Sequence, residues 1–299
     1  MNHLFIINPV AGQGKPLKLI PEIKKIFSSR NDTFKIEITE RPGHATDIAK
    51  EYTSQKKYRV YSIGGDGTLN EVLNGMVNSG SSLAVIPAGS GNDFSRNLNL
   101  NIASKRYSYD ILNRTINGKE EPVDIVKINN RYFINISSVG LDAEVANTTN
   151  KLKRTGLLRG SFAYLVGIFA TLLKYNSHIL RVTIDGQTFE KESLLLAIAN
   201  GKFYGGGVQP APDASINDGL LDVCFVKKMS VFKIVRLLPL YYKGKHGGLE
   251  EVTFFKGKKI EVCNNHEMAL NIDGEITMVK NAVYEIIPKG INLVIPSQS

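Results

Sequence analysis

The segment that most constrains the fold is a glycine-rich turn, Gly64-Gly65-Asp66-Gly67-Thr68-Leu69-Asn70-Glu71. This turn follows an apolar run typical of a buried strand, Arg59–Ile63, and it opens an apolar run typical of a helix, Leu69–Val77. A strand, a glycine turn and a helix start bind phosphate well, because the first helical N–H groups point at the anion. Asp66 would repel a phosphate, so its carboxylate indicates a divalent cation between them. The turn therefore predicts a nucleotide phosphate bound together with a metal ion.

The first part of the chain alternates between strand-like and helix-like runs. The strand-like runs lie at 4–7, 34–38, 59–63 and 83–86, and the helix-like runs at 17–27, 46–52 and 69–77. This order predicts a parallel sheet with helices on both faces. Glycine-rich turns follow three of the strands, at 8–14, 64–67 and 87–93. Because ligands bind beyond the carboxyl ends of such strands, we expect one shared site there.

After about residue 120 the chain changes to short apolar runs separated by turn pairs such as Asn129-Asn130, Asp185-Gly186 and Asp273-Gly274. These turns predict hairpins in a β-rich second domain, with helical material near 157–175 and 229–242. We therefore expect an α/β domain over 1–121 and a β-rich domain over 122–299. The last residues are expected to pack back onto the first domain.

Composition narrows the class of protein. The 299 residues are 42% hydrophobic and carry a net charge of +9, which indicates a globular protein with acidic partners: a nucleotide, a nucleic acid or anionic lipid. Two cysteines without a CxxC pair indicate neither a zinc site nor a disulfide framework, and they fit a reducing compartment. The apolar stretch Leu157–Leu173 predicts a buried or lipid-facing helix rather than a membrane span.

Basic residues concentrate in two stretches that also contain many apolar residues. No acid lies between Glu144 and Asp185, and nine Lys or Arg lie from Lys227 to Lys259 against two acids, Glu250 and Glu251. This composition is typical of a surface that rests on an anionic membrane. Core helices with ordinary solvated lysines explain it equally well, so both interpretations stay open.

Two clusters in the second half suggest chemistry. Asn217-Asp218-Gly219-Leu220 forms either an ordinary turn or an oxygen-ligand cation site. Asp273-Gly274-Glu275 forms either a plain hairpin turn or a carboxylate that accepts a proton from an alcohol. Gly12-Gln13-Gly14-Lys15-Pro16 lacks the spacing and the hydroxyl of a Walker A loop.

Two motifs together carry a resemblance to a known family. Gly64–Glu71, followed by Pro87-Ala88-Gly89-Ser90-Gly91-Asn92-Asp93-Phe94, resembles the catalytic domain of diacylglycerol kinases. The similarity extends over nearly the whole chain and is greatest to the soluble bacterial lipid kinases, relatives of sphingosine and ceramide kinases. It implies an NAD kinase/diacylglycerol kinase-like parallel α/β domain, a β-sandwich second domain and an active site in the interdomain cleft. Ser90 stands where threonine is commonest, but it keeps the hydroxyl.

The resemblance also implies roles for individual residues. ATP would be bound by Asn8, Pro9, Val10, Ala11, Gly12, Thr39, Gly65, Asp66, Gly67, Thr68, Leu69, Asn70, Glu71 and Ser90. Asp66 would act near the phosphate–magnesium centre, and Glu275 would accept the proton with Asp273 beside it. Which of those two carboxylates is the acceptor stays open. Mg²⁺ would be bound by Ser215, Asp218 and Leu220, and Asp124 would contact the lipid head.

These observations predict an ATP- and Mg²⁺-dependent lipid kinase that phosphorylates the hydroxyl of a diacylglycerol-like lipid. The alternatives are a soluble-substrate kinase of the NAD kinase type and a non-catalytic regulator that binds lipid or nucleotide. We expect a cytoplasmic protein peripherally associated with an anionic membrane, with a membrane lipid as substrate and no nucleic acid partner. The sequence leaves the identity of the lipid, the number of metal ions and the oligomeric state open, a homodimer included.

Overall fold

The computed structural model describes residues 1–98, 107–141, 143 and 177–298. Its α/β half contains β1 (Asn2–Ile7), a 3₁₀ segment (Ala11–Leu19), α1 (Ile20–Phe27), β2 (Thr33–Ile38), α2 (His44–Gln55), β3 (Arg59–Gly64), α3 (Asp66–Met76), β4 (Ser82–Pro87), α4 (Asp93–Arg96) and α5 (Tyr107–Ile116). Its β-rich half contains β5 (Lys119–Ile128), β6 (Arg131–Phe133), β7 (Ile136–Gly140), β8 (His178–Ile184), β9 (Gln187–Ala199), β10 (Leu221–Lys227), α6 (Val231–Tyr242), β11 (Val252–Gly257), β12 (Lys259–Ile272) and β13 (Glu275–Ile295).

The first four strands pair in the order β4-β3-β1-β2, and every pair is parallel. Their side chains alternate between two apolar layers, because successive residues of a strand point to opposite faces. Leu4 and Ile6 of β1 pack in the layer formed with α2 and α3. Phe5 and Ile7 pack on the other face in the layer formed with α1 and α5. Burial on both faces explains why β1, β3 and β4 read as apolar runs, whereas the edge strand β2 is only partly buried.

β13 connects the two halves. Its first part pairs antiparallel with β12, its later part pairs antiparallel with β5, and Asn292 and Leu293 pair in parallel with β4. The C-terminal strand thus packs onto the α/β half. The predicted domain boundary between residues 121 and 122 lies inside β5, which itself pairs with β13.

In the β-rich half the sheet continues in the order β11-β10-β9-β7-β12, and β8 pairs with both β9 and β12. Hairpin turns occur at the three predicted turn pairs, where Asn129, Asp185 and Asp273 adopt positive φ of 48°, 46° and 46°. A large apolar cluster in this half includes Phe133, Phe225 and Tyr284.

The predicted helix near 229–242 is present as α6. The stretch Leu157–Leu173 and the bases between 151 and 174 lie outside the described residues. Among the residues that are described, no helix combines the length and the hydropathy needed to span a membrane.

Candidate active site

The loops that follow β1, β3 and β4 lie in contact at one edge of the sheet. The backbone N–H of Asn8 donates to Ile63 O at 3.0 Å, and its side-chain Nδ2 donates to Thr68 Oγ1 at 3.0 Å. A Cβ atom at Gly12 would lie 2.1 Å from the carbonyl oxygen of Ala88, and Gly12 has a φ of +50°. Glycine therefore allows the β1 and β4 loops to approach closely. The three loops border a common space.

α3 begins in this space, directly at the glycine turn. Gly65 precedes the helix in an extended conformation and has no side chain to cap its first N–H groups, which are left to bind an anion. A Cβ atom at Gly89 would lie 2.5 Å from Gly65 Cα, so the β4 loop closes tightly over the helix start. A small pocket beside the helix start is lined by Ser62, Gly64, Gly65, Asp66, Leu69, Val85, Pro87, Asn92 and Ser95.

Most of the residues expected to bind ATP lie around this space. Thr39 follows β2 at the same sheet edge, where its N–H donates to Ile7 O at 2.9 Å. Val10 is 81% exposed, and Ser90 is exposed in the β4 loop. Leu69 differs, since its side chain is buried in the apolar core. The remaining expected contacts on these loops and the helix start are Pro9, Ala11, Gly12, Gly65, Gly67 and Thr68.

Three carboxylates converge next to the helix start. Burial raises the pKa of Asp66 to about 7, and the neighbouring carboxylates of Asp93 and Asp273 add to the rise. The backbone N–H of Phe94 donates to Asp66 Oδ1 at 3.3 Å and opposes it. Burial also raises the pKa of Asp93. Like charges this close favour a bound cation or a shared proton.

Asp93 was not assigned a role by the sequence analysis, although it lies in the second motif. Its carboxylate accepts the backbone N–H of Gly206 at 3.0 Å and 2.9 Å, and Arg96 Nε lies 3.5 Å away. The signal that could have identified it is its position, at the start of the short helix that follows β4. A carboxylate there lies at the same sheet edge as Asp66.

Asp273 forms the tip of the β12–β13 hairpin, and its carboxylate turns into the protein. Its Oδ1 accepts the N–H of Ile136 at 3.0 Å, while its Oδ2 accepts the N–H of Ile134 at 3.3 Å and Asn70 Nδ2 at 3.2 Å. Burial raises the pKa of Asp273 to about 6 against the effect of these donors. Asp273 thus links the hairpin to α3 and to the β6–β7 connection.

Glu275 begins β13 and is the more accessible of the two candidate proton acceptors. Its side chain is 40% exposed, and Arg131 Nη2 lies 2.5 Å from its Oε2. The same Arg131 nitrogen donates to Asn70 Oδ1 at 3.0 Å. Glu275 Oε1 lies 4.0 Å from the position that a Cβ atom at Gly67 would take, so it faces the first turn of α3.

The side chain of Glu71, which was expected to contact the nucleotide, instead hydrogen-bonds to the backbone of α2 and the residue before it. Its Oε1 accepts the N–H of Gly43 at 2.9 Å, and its Oε2 accepts the N–H of Ala45 at 3.1 Å. The side chain therefore satisfies two N–H groups at the start of α2. Its role in binding ATP stays a prediction.

The residues expected to bind the lipid head and Mg²⁺ lie together at the loop before β10. Asp124 is buried, and its carboxylate accepts the N–H groups of Gly219 at 2.7 Å and Lys289 at 2.8 Å. One oxygen thus holds the loop before β10 and the other holds β13 at Lys289, and contact with a lipid stays a prediction.

The same loop carries the expected metal ligands Ser215, Asp218 and Leu220. Asp218 Oδ1 accepts the N–H of Leu220 at 3.1 Å, and Lys256 Nζ lies 3.2 Å from Asp218 Oδ2 and 3.1 Å from Asp222 Oδ2. Ser215 Oγ donates to Asn217 Oδ1 at 2.7 Å. Lys256 therefore supplies positive charge where the sequence predicts Mg²⁺, and that metal site stays a prediction.

A divalent cation fits better at the helix start. A Cβ atom at Gly91 would lie 2.9 Å from Asp66 Oδ2 and 3.4 Å from Asp93 Oδ2, so both carboxylates border one small space that glycine keeps free. Carboxylate oxygens are the ligands that Mg²⁺ prefers together with substrate phosphates. Among the described residues, no group of three or more His, Cys, Asp or Glu side chains is arranged to hold a metal ion.

Comparison with known proteins matches each half of the chain to a protein-family model. The family model of the diacylglycerol kinase catalytic domain matches residues 2–128, and that of the YegS C-terminal NAD kinase beta sandwich-like domain matches 135–295. A diacylglycerol kinase of Staphylococcus saprophyticus is 32% identical over 276 residues, 91% of this chain and 88% of the relative. The chain belongs to the diacylglycerol kinase family. It is accordingly a lipid kinase, which confirms the resemblance stated from its motifs.

The similarity to members of the family covers almost the whole chain. A diacylglycerol kinase of Bacillus subtilis is 29% identical over 297 residues, 98% of this chain and 96% of the relative. The crystal structure of a diacylglycerol kinase from Bacillus anthracis shares the fold, with a TM-score of 0.72 at 24% identity over 98% of this chain and 96% of that one. The two domains of the family, catalytic and β-sandwich-like, correspond to the two halves described above. Asp66 and Asp93 lie in the first and Asp273 and Glu275 in the second.

Proposed function

We propose that this kinase transfers the γ-phosphoryl group of ATP to the hydroxyl of a diacylglycerol-like lipid, in the cleft between its two halves. The observation that carries the proposal is the meeting of Asp66, Asp93 and Glu275 around the start of α3. Asp66 and Asp93 come from the α/β half and Glu275 from β13, so the site needs both halves. Family membership supports the reaction class.

The glycine turns and the first N–H groups of α3 would bind the phosphates. These groups are fixed before substrate arrives, because the β1 and β4 loops pack against the turn through Gly12 and Gly89. Pre-positioned donors are the main contribution that a protein makes to phosphoryl transfer. Ser90, exposed beside them, offers a hydroxyl to the nucleotide.

Asp66 and Asp93 would hold Mg²⁺. When bound, Mg²⁺ neutralises charge on the phosphates of ATP. Burial, and after it the neighbouring Asp93 carboxylate, raises the pKa of Asp66 to about 7, so ionising Asp66 is costly without a cation. The site is therefore electrostatically suited to receive a positive charge together with a phosphate.

Glu275 is the better candidate for the proton acceptor. The carboxylate of Asp273 already accepts three hydrogen bonds inside the protein, whereas Glu275 is partly exposed and faces the first turn of α3. The lipid oxygen would bond to the γ-phosphorus as the bond to ADP breaks, and the hydroxyl proton would pass to Glu275. Asp273 would position the hairpin that carries it.

The proposal is tested by following label from radiolabelled ATP into acceptors presented in mixed micelles. The acceptors are diacylglycerol, monoacylglycerol and a sphingoid base, with NAD in a parallel reaction and a chelator control. We expect label in a diacylglycerol-like lipid only when Mg²⁺ is present. Label in NAD alone would assign the soluble-substrate reaction instead.

A further inference from the structure

α6 contacts the rest of the protein along one narrow side only. Ile234 is buried, and Leu237 and Tyr241 are half-buried, which is the i, i+3, i+7 spacing of a single helical stripe. Ile234 and Tyr241 pack on the apolar cluster of the β-rich half that includes Cys224 and Val226. Ser230 caps the helix by accepting the N–H of Lys233 at 3.4 Å.

The side of α6 next to this buried stripe is exposed and strongly apolar. Val231, Val235, Leu238 and Tyr242 share one stripe at i, i+4, i+7 and i+11, and all four are exposed. Phe232 lies beside this stripe and is 81% exposed, an unusual position for a phenylalanine. These five residues form the docking face. A contiguous apolar surface of this kind marks an interaction site.

The charge around the docking face has one sign. From Lys227 to Leu249 there is no Asp or Glu, whereas there are six Lys or Arg. Arg236 and Lys243 are exposed about one and three helical turns after Phe232, and Lys233 pairs with Glu251. Apolar side chains interleaved with bases on one helix fit an anionic lipid surface, because the apolar groups enter the bilayer boundary while the bases contact phosphates.

The docking face lies next to the active site. Tyr242, at the end of α6, directs its hydroxyl toward Gly206 O at 3.5 Å. The N–H of Gly206 donates to both oxygens of Asp93. Tyr241 and Tyr204 join their hydroxyl groups at 3.0 Å, and Tyr204 begins the loop that contains Gly206. A surface bound by α6 is thus brought close to the loop that contacts Asp93.

We propose that α6 lies in the headgroup region of an anionic membrane and holds the Gly205–Gly207 loop against the bilayer. This inference rests on the proposed function for its purpose, which is to bring a membrane lipid to the site. Docking itself requires no turnover. A second copy of the chain and a protein partner are the other occupants that the test must distinguish.

The test measures cosedimentation with vesicles of phosphatidylcholine alone or mixed with phosphatidylglycerol. The variant is Phe232→Ser with Val235→Ser, and the matched control removes two exposed apolar residues elsewhere, Tyr109→Ser with Val283→Ser. We expect wild type and control to bind the anionic vesicles. The α6 variant should bind them at least about tenfold more weakly. Arg236→Glu with Lys243→Glu should weaken binding most at low salt.

Two readouts keep this inference separate from the proposed function. Activity on a short-chain, water-dispersed diacylglycerol should be unchanged in the α6 variant, while activity on vesicle-embedded diacylglycerol falls. If wild type were inactive on both substrates, the proposed function would be refuted. The docking inference would then be decided by the vesicle-binding data alone. Unchanged vesicle binding by the α6 variant would overturn the inference. The inference would also be overturned if wild type were a dimer and the α6 variant a monomer, because the docking face would then be a subunit interface.

Discussion

Arg131 and Glu275 form an ion pair across the candidate active site, with Nη2 of the arginine 2.5 Å from Oε2 of the glutamate. The same arginine nitrogen reaches Asn70 Oδ1 at 3.0 Å. One guanidinium therefore connects the proposed proton acceptor on β13 to Asn70 on α3. Its position is fixed by the hairpin between β5 and β6, a part of the chain that carries no recognised motif.

Arg131→Ala should lower kcat by about tenfold, because Glu275 loses the partner that orients it toward the first turn of α3. Arg131 acts through Glu275, so KM for ATP should change little. Steady-state kinetics with saturating lipid would measure both constants. Arg131→Lys should recover part of kcat, since it keeps the charge. An alanine variant with full kcat would show that Glu275 is positioned by other contacts.

Asp66 should make the stability of the metal-free protein fall as the pH rises. Its pKa is raised from 3.8 to about 7, so the native state holds a proton that the unfolded state loses first. Stability from this group is therefore complete below about pH 4 and is lost as the pH passes through 7. Asp66→Asn should make the dependence shallower, leaving the smaller parts due to Asp93 and Asp273, and should be more stable than wild type at pH 8 by on the order of 1–2 kcal/mol.

Urea unfolding in the presence of a chelator, at several pH values between 5 and 8.5, measures this difference on the order of 1 kcal/mol. Added Mg²⁺ should raise the melting temperature of wild type at pH 8 and leave that of Asp66→Asn nearly unchanged. Parallel pH profiles for the two proteins would contradict the assignment of the raised pKa to Asp66.

Glu71→Ala should destabilise the fold by about 1–2 kcal/mol, because it leaves two N–H groups at the start of α2 without their acceptor. Glu51→Ala, at an exposed position of the same helix, is the matched control and should change stability little. Urea unfolding compares the two. If Glu71→Ala instead raised KM for ATP at unchanged stability, the nucleotide contact expected from the sequence would be correct and the cap would be unimportant.

Lys256→Gln tests whether the lysine ammonium neutralises the carboxylates at the loop before β10. The substitution leaves the carboxylates of Asp218 and Asp222 without their shared ammonium, and Asp222 is buried. We expect a loss of about 1–2 kcal/mol that Mg²⁺ partly restores, because a cation can then take the vacated place. Thermal melting with Mg²⁺ or chelator measures it, and Lys258→Gln is the exposed neighbouring control. A variant as stable as wild type in chelator would show that Lys256 contributes nothing there.

The sequence was sufficient for the features whose causes are local. A glycine turn between a strand and a helix is determined by neighbouring residues, so the loops at Asn8, Gly65 and Gly89 could be placed at one sheet edge before any contact was known. The Asp273-Gly274 turn was recognised for the same reason, since both residues adopt the positive φ that such hairpins require.

Contacts between distant parts of the chain could not be predicted in this way. Asp93 and Gly206 are 113 residues apart, and Arg131 and Glu275 are 144 apart. Each pair depends on strand register and on how β13 crosses from β12 to β4, which no local pattern determines. Local spacing likewise did not reveal that Glu71 caps α2 or that Asp124 holds the loop before β10.

The most direct test of the central claim compares wild type with Asp66→Ala in Mg²⁺-dependent phosphoryl transfer from ATP to diacylglycerol in mixed micelles. Melting curves recorded in parallel establish that the variant is folded. We expect a phosphorylated lipid product from wild type and a loss of at least about a hundredfold in kcat for the variant. A folded Asp66→Ala protein with near-normal turnover would contradict it.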